Sequence, residues 1–358
     1  MQLHAGNLAS LARGCALLAG GGGGNPTLAL TMALHAVQQH GPVDVLDPGG
    51  VQADAVVLPC GMIGAPTIAE ERIWNGDEGR TLCEVIAGAR GQPVDALLAL
   101  QIGGANGLLP VMWAARLGLA LLDADGAGRA FPRLDQHAMR LAGIAPGPVV
   151  LTDGRGNTLL LDPADDAWAE RLARSALAGL GGVCAGACYC MTGEQAPRAT
   201  IASSVSLALA LGEAMRADDV HQQVWAACET LGGTVLIEGR IRALQRHSDT
   251  GFMSGSATVA GTAGDTGRQL HLELQNEFLL ALEDGVPCAA VPDLIAVLSS
   301  DTGSPLGVED LRYGQHVIVL TSPAPSVWRS REGLAIAGPA AFGYDFEPRS
   351  GGAQPRHA

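Results

Sequence analysis

Over roughly the first 165 residues, short apolar runs alternate with amphipathic stretches. The runs "VDVLD" (43–47), "AVVLPC" (55–60), "DALLAL" (95–100), "LALLDAD" (119–125) and "PVVLTD" (148–153) have the length and character of buried strands. Between them, residues 26–40, 77–91 and 106–117 carry helical patterns. Strands alternating with helices in this way predict a mostly parallel sheet covered by helices. "VVLTDGRGNTLLLD" then reads as a hairpin turning through Asp153–Asn157, and residues 164–179 as a helix stopped by Gly181 and Gly182.

Residues 200–231 predict one or two further helices, after which the pattern changes. "GGTVLIEGRIRALQR", "SGSATVAGT", "RQLHLELQNEFLLAL", "DLIAVLSS" and "QHVIVLTSPAP" are alternating or apolar runs separated by Gly, Asp and Pro, the pattern of antiparallel strands. The expected fold is an α/β N-terminal domain with a mostly parallel sheet, plus a β-rich C-terminal domain. The expected extents are 1–180 for the first, 181–350 for the second with a helical lead-in, and 351–358 for a disordered tail.

Composition narrows the function. The 358 residues are 47% hydrophobic and 16% charged, enough to bury a sizeable core. The net charge of −14 and the scatter of the 22 basic residues disfavour nucleic acid and anionic membrane surfaces as partners. "MQLHAGNLASLARGCALLAGGGGG" has no basic stretch ahead of its short apolar run, and no window approaches roughly 18 apolar residues. A cytoplasmic homo-oligomer acting on a small molecule is expected. Of the eight cysteines, only Cys184, Cys188 and Cys190 have metal-like spacing, and no second pair accompanies them. Buried, reduced thiols are the expected state.

Candidate chemistry lies in polar, glycine-rich loops. They are Gly20–Gly24 with Asn25 and Pro26, "GMIGAPTIAEERIWNGDE" with Glu70, Glu71, Asp77 and Glu78, "GGANG" with Asn106, and "DGAGRAFPRLDQHAM". Ligands of open parallel sheets bind beyond the carboxyl ends of the strands, so these loops are expected to converge. Gly22, Gly23, Gly24 and Asn25 precede a helix opening on Pro26, where backbone amides favour an anion. The Lys-Ser/Thr of a phosphate-binding Walker loop is missing, and although Asp47 keeps a dinucleotide open, no nucleotide is favoured.

Asp123 and Asp125 can divide two roles, one binding a metal or orienting substrate, the other acting as general base. Arg129 can neutralise them or clamp a substrate carboxylate, and His137 can complete a metal site or act as acid. Asn276 and Glu277 interrupt an apolar stretch and are expected to line an inter-domain cleft, whereas His247, in the same segment as Asp249, and His271 are expected to face water. Cys60 is a rival nucleophile, expected instead to be a buried strand-end thiol.

"GGGGNP", "GAPTIAEERI", "GGANGLLPVMWAARLGLALLDADGAGRAFP", "QNEFLLALEDG", "PDLIAVL", "LRYGQHVIVL" and "GPAAFGYD" together give the chain its resemblance to the S-methyl thiohydantoin desulfurase domain family, found near hydantoinase/oxoprolinase-type proteins. The resemblance implies an α/β domain followed by a β-rich one. It also implies hydrolysis of a thio-substituted hydantoin ring, with water replacing the sulfur substituent between the two ring nitrogens and a thiol released. In the family's namesake this step belongs to breakdown of S-methylated ergothioneine. Two positions depart from the family pattern: Asn25 stands where Asp is usual, and Gln101 where Glu is usual. On this reading Asp123 or Asp125 is the general base or a ligand of a divalent ion, zinc foremost, with His137 as partner. Gly22–Gly24, Asn25, Arg129, Asn106, Asn276 and Glu277 would then hold the substrate. The alternative is an ATP-dependent or non-catalytic oxoprolinase-type subunit that binds hydantoin-like ligands.

Overall fold

The computed structural model describes residues 1–72, 74–249 and 252–346; the tail at 351–358 and the side chains of Glu70 and Asp249 lie outside the described residues. The first sheet runs in the order β1 (Gln2–Leu3), β2 (Val43–Leu46), β5 (Ala120–Asp125), β4 (Ala96–Ala99), β3 (Val56–Gly64), β8 (Val183–Ala187), β6 (Val149–Thr152) and β7 (Thr158–Leu161). Its centre, β2–β5–β4–β3, is parallel. Helices Glu78–Arg90 and Leu109–Leu117 make the crossovers between β3, β4 and β5, as parallel neighbours require. Strand β3 is buried along nearly its whole length, which explains its unbroken apolar sequence. Antiparallel β8, β6 and β7 extend one edge, and two short strands, β9 (Met191–Thr192) and β10 (Ile201–Ala202), pair with β3 and β5. Residues as late as Ala202 therefore still serve the first sheet.

The second sheet is antiparallel throughout, in the order β15 (Val286–Ala290), β14 (Glu277–Glu283), β13 (Gln269–Gln275), β12 (Phe252–Gly261), β11 (Thr234–Asp249), β17 (His316–Ser322) and β16 (Leu294–Ser299). Ile237, Ile241, Val259, Leu270, Leu272 and Val317 share its core with Phe278. Helices Ser204–Ala214 and Val220–Leu231 lead into it. Among the described residues no helix is long and apolar enough to cross a membrane.

One helix goes beyond the sequence reading. Leu8–Leu18 is helical, so the Gly20–Gly24 run follows a helix and not a strand. This helix crosses Ser204–Ala214 at two glycines: a side chain at Gly14 would overlap the Ala208 carbonyl, and one at Gly212 the Ser10 carbonyl. The obstacle is backbone, which cannot rotate aside. Gly14→Ala is therefore expected to push the helices apart at a cost of about 1–3 kcal/mol, lowering the melting temperature by roughly 2–10 °C. An unchanged melting curve would contradict so close a crossing.

Candidate active site

The carboxyl ends of β3 and β4 and the loop after β5 meet the turn joining β13 to β14 of the second sheet. Between them lies a narrow, partly open cleft, to which Gly23, Gln101, Asn106, His137, Asn276 and Glu277 all contribute. The turn that delivers Glu277 is a single residue long, since Gln275 and Glu277 lie opposite each other in the ladder. Asn276 adopts a left-handed φ of 56°, a conformation asparagine tolerates better than most residues. Its backbone N–H donates to the Met253 carbonyl and its Oδ1 accepts from the Met253 N–H at 2.8 Å.

Glu277 is 3% exposed, and its Oε2 has no hydrogen-bond partner among the described residues. Burial pushes its carboxyl up to about 8, although Arg129 pulls the other way. At neutral pH the group is therefore mostly protonated and uncharged, an acid able to donate. Gly22 packs directly against it, where any side chain would collide with the carboxyl.

His137 is equally buried. Its Nδ1 lies 2.7 Å from the Leu134 carbonyl. A carbonyl can only accept, so Nδ1 carries the proton and the neutral ring presents a lone pair at Nε2. That Nε2 has no partner among the described residues, and the residue lines the cleft. Burial lowers the pKa of the imidazole to about 4, keeping it neutral and able to accept.

Two carboxamides hold the walls. Gln101 donates to the Phe131 carbonyl and accepts from the Phe131 N–H. Asn106 does the same with Met62, accepting its N–H at 2.6 Å and donating to its carbonyl. An ionised glutamate at position 101 would have no proton for the Phe131 carbonyl, so the amide suits this pairing.

Several expected roles are corrected by the packing. Asp123 accepts from the backbone N–H and hydroxyl of Ser206, capping the helix Ser204–Ala214. Asp125 is fully buried and accepts from the backbone N–H groups of Ile102, Ala127 and Gly128 at 2.8–3.0 Å. Burial raises its pKa to about 6 despite these donors. It braces the loops behind the cleft and does not line it. Asp123, Asp125 and His137 thus do not share a centre, and among the described residues no group of three or more such side chains is arranged to hold a metal ion.

Arg129 is no substrate clamp either. Its guanidinium donates to the carbonyls of Ala130, Phe278, Pro292 and Asp293 and stacks over Phe131 at 5.1 Å. It fastens the two sheets together behind Glu277. Of the glycine turn, only Gly23 lines the cleft; Gly24 and Asn25 face a separate cavity against residues 304–310, and Asn25 spends its Oδ1 capping Thr27.

Cys60 is buried with its thiol pushed well up by that burial, which leaves it a poor nucleophile. His247 is exposed, and His271 pairs with Thr258 and Glu273; neither lines the cleft. Arg174 does line it, and the sequence reading passed it over. Its i,i+4 spacing to Glu170 was visible in "AERLAR", but such pairs usually decorate solvent-facing helices.

Residues 6–163 match the family described as S-Me-THD-like, N-terminal domain, and residues 164–350 match S-Me-THD-like, C-terminal domain. No curated protein matches the chain. Among solved structures, the fold is similar to the crystal structure of a protein from Chromobacterium violaceum, with a TM-score of 0.80. That likeness covers 98% of this chain and 99% of the other at 22% identity, a level at which the shared property is the fold.

Proposed function

We propose, from the premise that this chain belongs to the S-Me-THD-like family, that it is a hydrolase acting on a thiohydantoin- or hydantoin-like ring. The observation that carries the reading is that one cleft is lined by a protonated carboxyl (Glu277) and an unprotonated imidazole nitrogen (His137 Nε2), with Glu277 Oε2 and that nitrogen both lacking a hydrogen-bond partner among the described residues.

The chemistry follows from those protonation states. In an S-alkyl thiohydantoin the carbon between the two ring nitrogens carries the sulfur and a C=N bond. Glu277 donates its proton to that nitrogen, making the carbon electrophilic. His137 Nε2 takes a proton from water as the oxygen bonds to the carbon. In the tetrahedral intermediate the C–S bond then breaks, and the sulfur leaves as a thiol with the proton held by His137. The new hydroxyl loses its proton to Glu277 and becomes the ring carbonyl. Both residues end as they began, and each proton transfer contributes on the order of 10²–10⁴-fold.

Thiol release from an S-methyl thiohydantoin, followed across pH, tests this. The imidazole must be neutral and the carboxyl protonated, so activity is expected to rise through about pH 4 and fall through about pH 8. Release that keeps climbing to pH 10 would remove Glu277 from the acid role. Binding of the ring without any thiol release would favour a non-catalytic subunit.

A further inference from the structure

On the helix Asp166–Leu177, Asp166, Glu170 and Arg174 recur every four residues and so share one face. Glu170 Oε2 accepts from the Leu134 N–H at 2.7 Å, and the Leu134 carbonyl in turn accepts from His137 Nδ1. The other oxygen of Glu170 accepts from Arg174, whose Nη2 also donates to the Pro132 carbonyl at 3.1 Å. The segment 132–134 is thereby clipped to the helix at two points. Asp166 holds a second element, accepting from the Tyr189 hydroxyl at 2.6 Å. The Tyr189 ring lies 5.6 Å from the imidazole, inclined at 54°. Its backbone has a left-handed φ of 54°, a conformation unfavourable for a bulky residue that persists only where the surroundings impose it. Here a bond from its N–H to the Pro146 carbonyl helps to impose it.

We propose that Glu170 and Tyr189 are positioning residues for His137: Glu170 fixes, through Leu134, which ring nitrogen is protonated, and the Tyr189 ring fixes the plane that turns Nε2 into the cleft. The site then depends on residues from both matched segments, because His137 lies before position 163 and its supports after 164. Only the catalytic consequence rests on the hydrolase reading; the orientation of the ring does not.

The test is ¹⁵N NMR of the histidine side chains in the full chain, with the His137 signals among the nine histidines assigned by difference against His137→Gln. Steady-state thiol release is measured in parallel. The unmodified protein is expected to show His137 as a single tautomer protonated at Nδ1. Glu170→Gln cannot accept from both Leu134 and Arg174, and Tyr189→Leu removes the ring, so each is expected to give mixed tautomers. Each should also lower kcat on the order of 10- to 100-fold with KM within about 2-fold. Tyr189→Phe keeps the ring and should stay close to the unmodified protein in both readouts, which separates orientation from a failure to fold. An Nε2-protonated or mixed His137 in the unmodified protein, or variants that retain the single tautomer, would overturn the proposal. The expected tautomers without any thiol release would leave the positioning intact and remove the hydrolase reading instead.

Discussion

Glu277→Gln is expected to cut thiol release at pH 7 by roughly 10²–10⁴-fold, the range that loss of a positioned acid spans. Glutamine matches the neutral carboxyl in shape and can still donate a hydrogen bond, but it has no proton to give up. Substrate binding should therefore survive while kcat falls, and the descending limb near pH 8 should disappear from what activity remains. The fold offers an independent check. Burial moves the carboxyl from its ordinary 4.5 up to about 8 in the folded state, so between those values the folded protein holds a proton that the unfolded chain has released. Stability is thus expected to fall as pH rises across that window in the unmodified protein, and this dependence should be lost in the variant. Melting curves at pH 5 and pH 8 read it directly. Undiminished turnover by Glu277→Gln at pH 7 would end the assignment.

Arg129→Met is expected to have the largest effect on folding. The residue is 2% exposed, and its guanidinium serves the backbone carbonyls of Phe278 in the second sheet and of Pro292 and Asp293 in the turn before its strand Leu294–Ser299. Methionine fills similar space but leaves those acceptors unpaired, at about 1–3 kcal/mol for each that stays buried. A loss of that size should appear as a sharply lower melting temperature or as failure to accumulate folded protein. Arg129→Lys should be intermediate, because a single ammonium cannot reproduce the planar spread of donors. A methionine variant as stable as the unmodified chain, with only its KM raised, would instead return Arg129 to the substrate-clamp role.

Glu277 shows where reading along the chain succeeds, and Arg129 where it does not. Asn276 and Glu277 were legible because a polar pair inside an apolar strand needs a reason, and lining a cleft is one. Asn25 and Pro26 announced a helix start, and the helix Pro26–His40 begins there with Asn25 as its cap. The strands of the parallel centre were legible because burial on both faces demands continuous apolar runs. The helix Leu8–Leu18 was not. Its interior Gly14 weakens the local helical signal, and the reason for that glycine lies at Ser204–Ala214, almost two hundred residues away.

The same limit decided Asp123 and Asp125. Two carboxylates spaced by one residue at a strand end are an honest sign of chemistry, yet each found a different set of N–H groups. Those donors come from a helix start and from loops that only the folded chain brings near. Local pattern by itself determined the alternating first domain, the antiparallel second one and the loops in which a site would form, because apolar periodicity and turn chemistry act over a few residues. Tertiary structure decided which of the candidate groups would be spent on backbone donors, and which would be left bare and buried. Proton affinity depends on solvation and neighbours, so the neutral acid at Glu277 and the neutral base at His137 exist only once both sheets have closed around them.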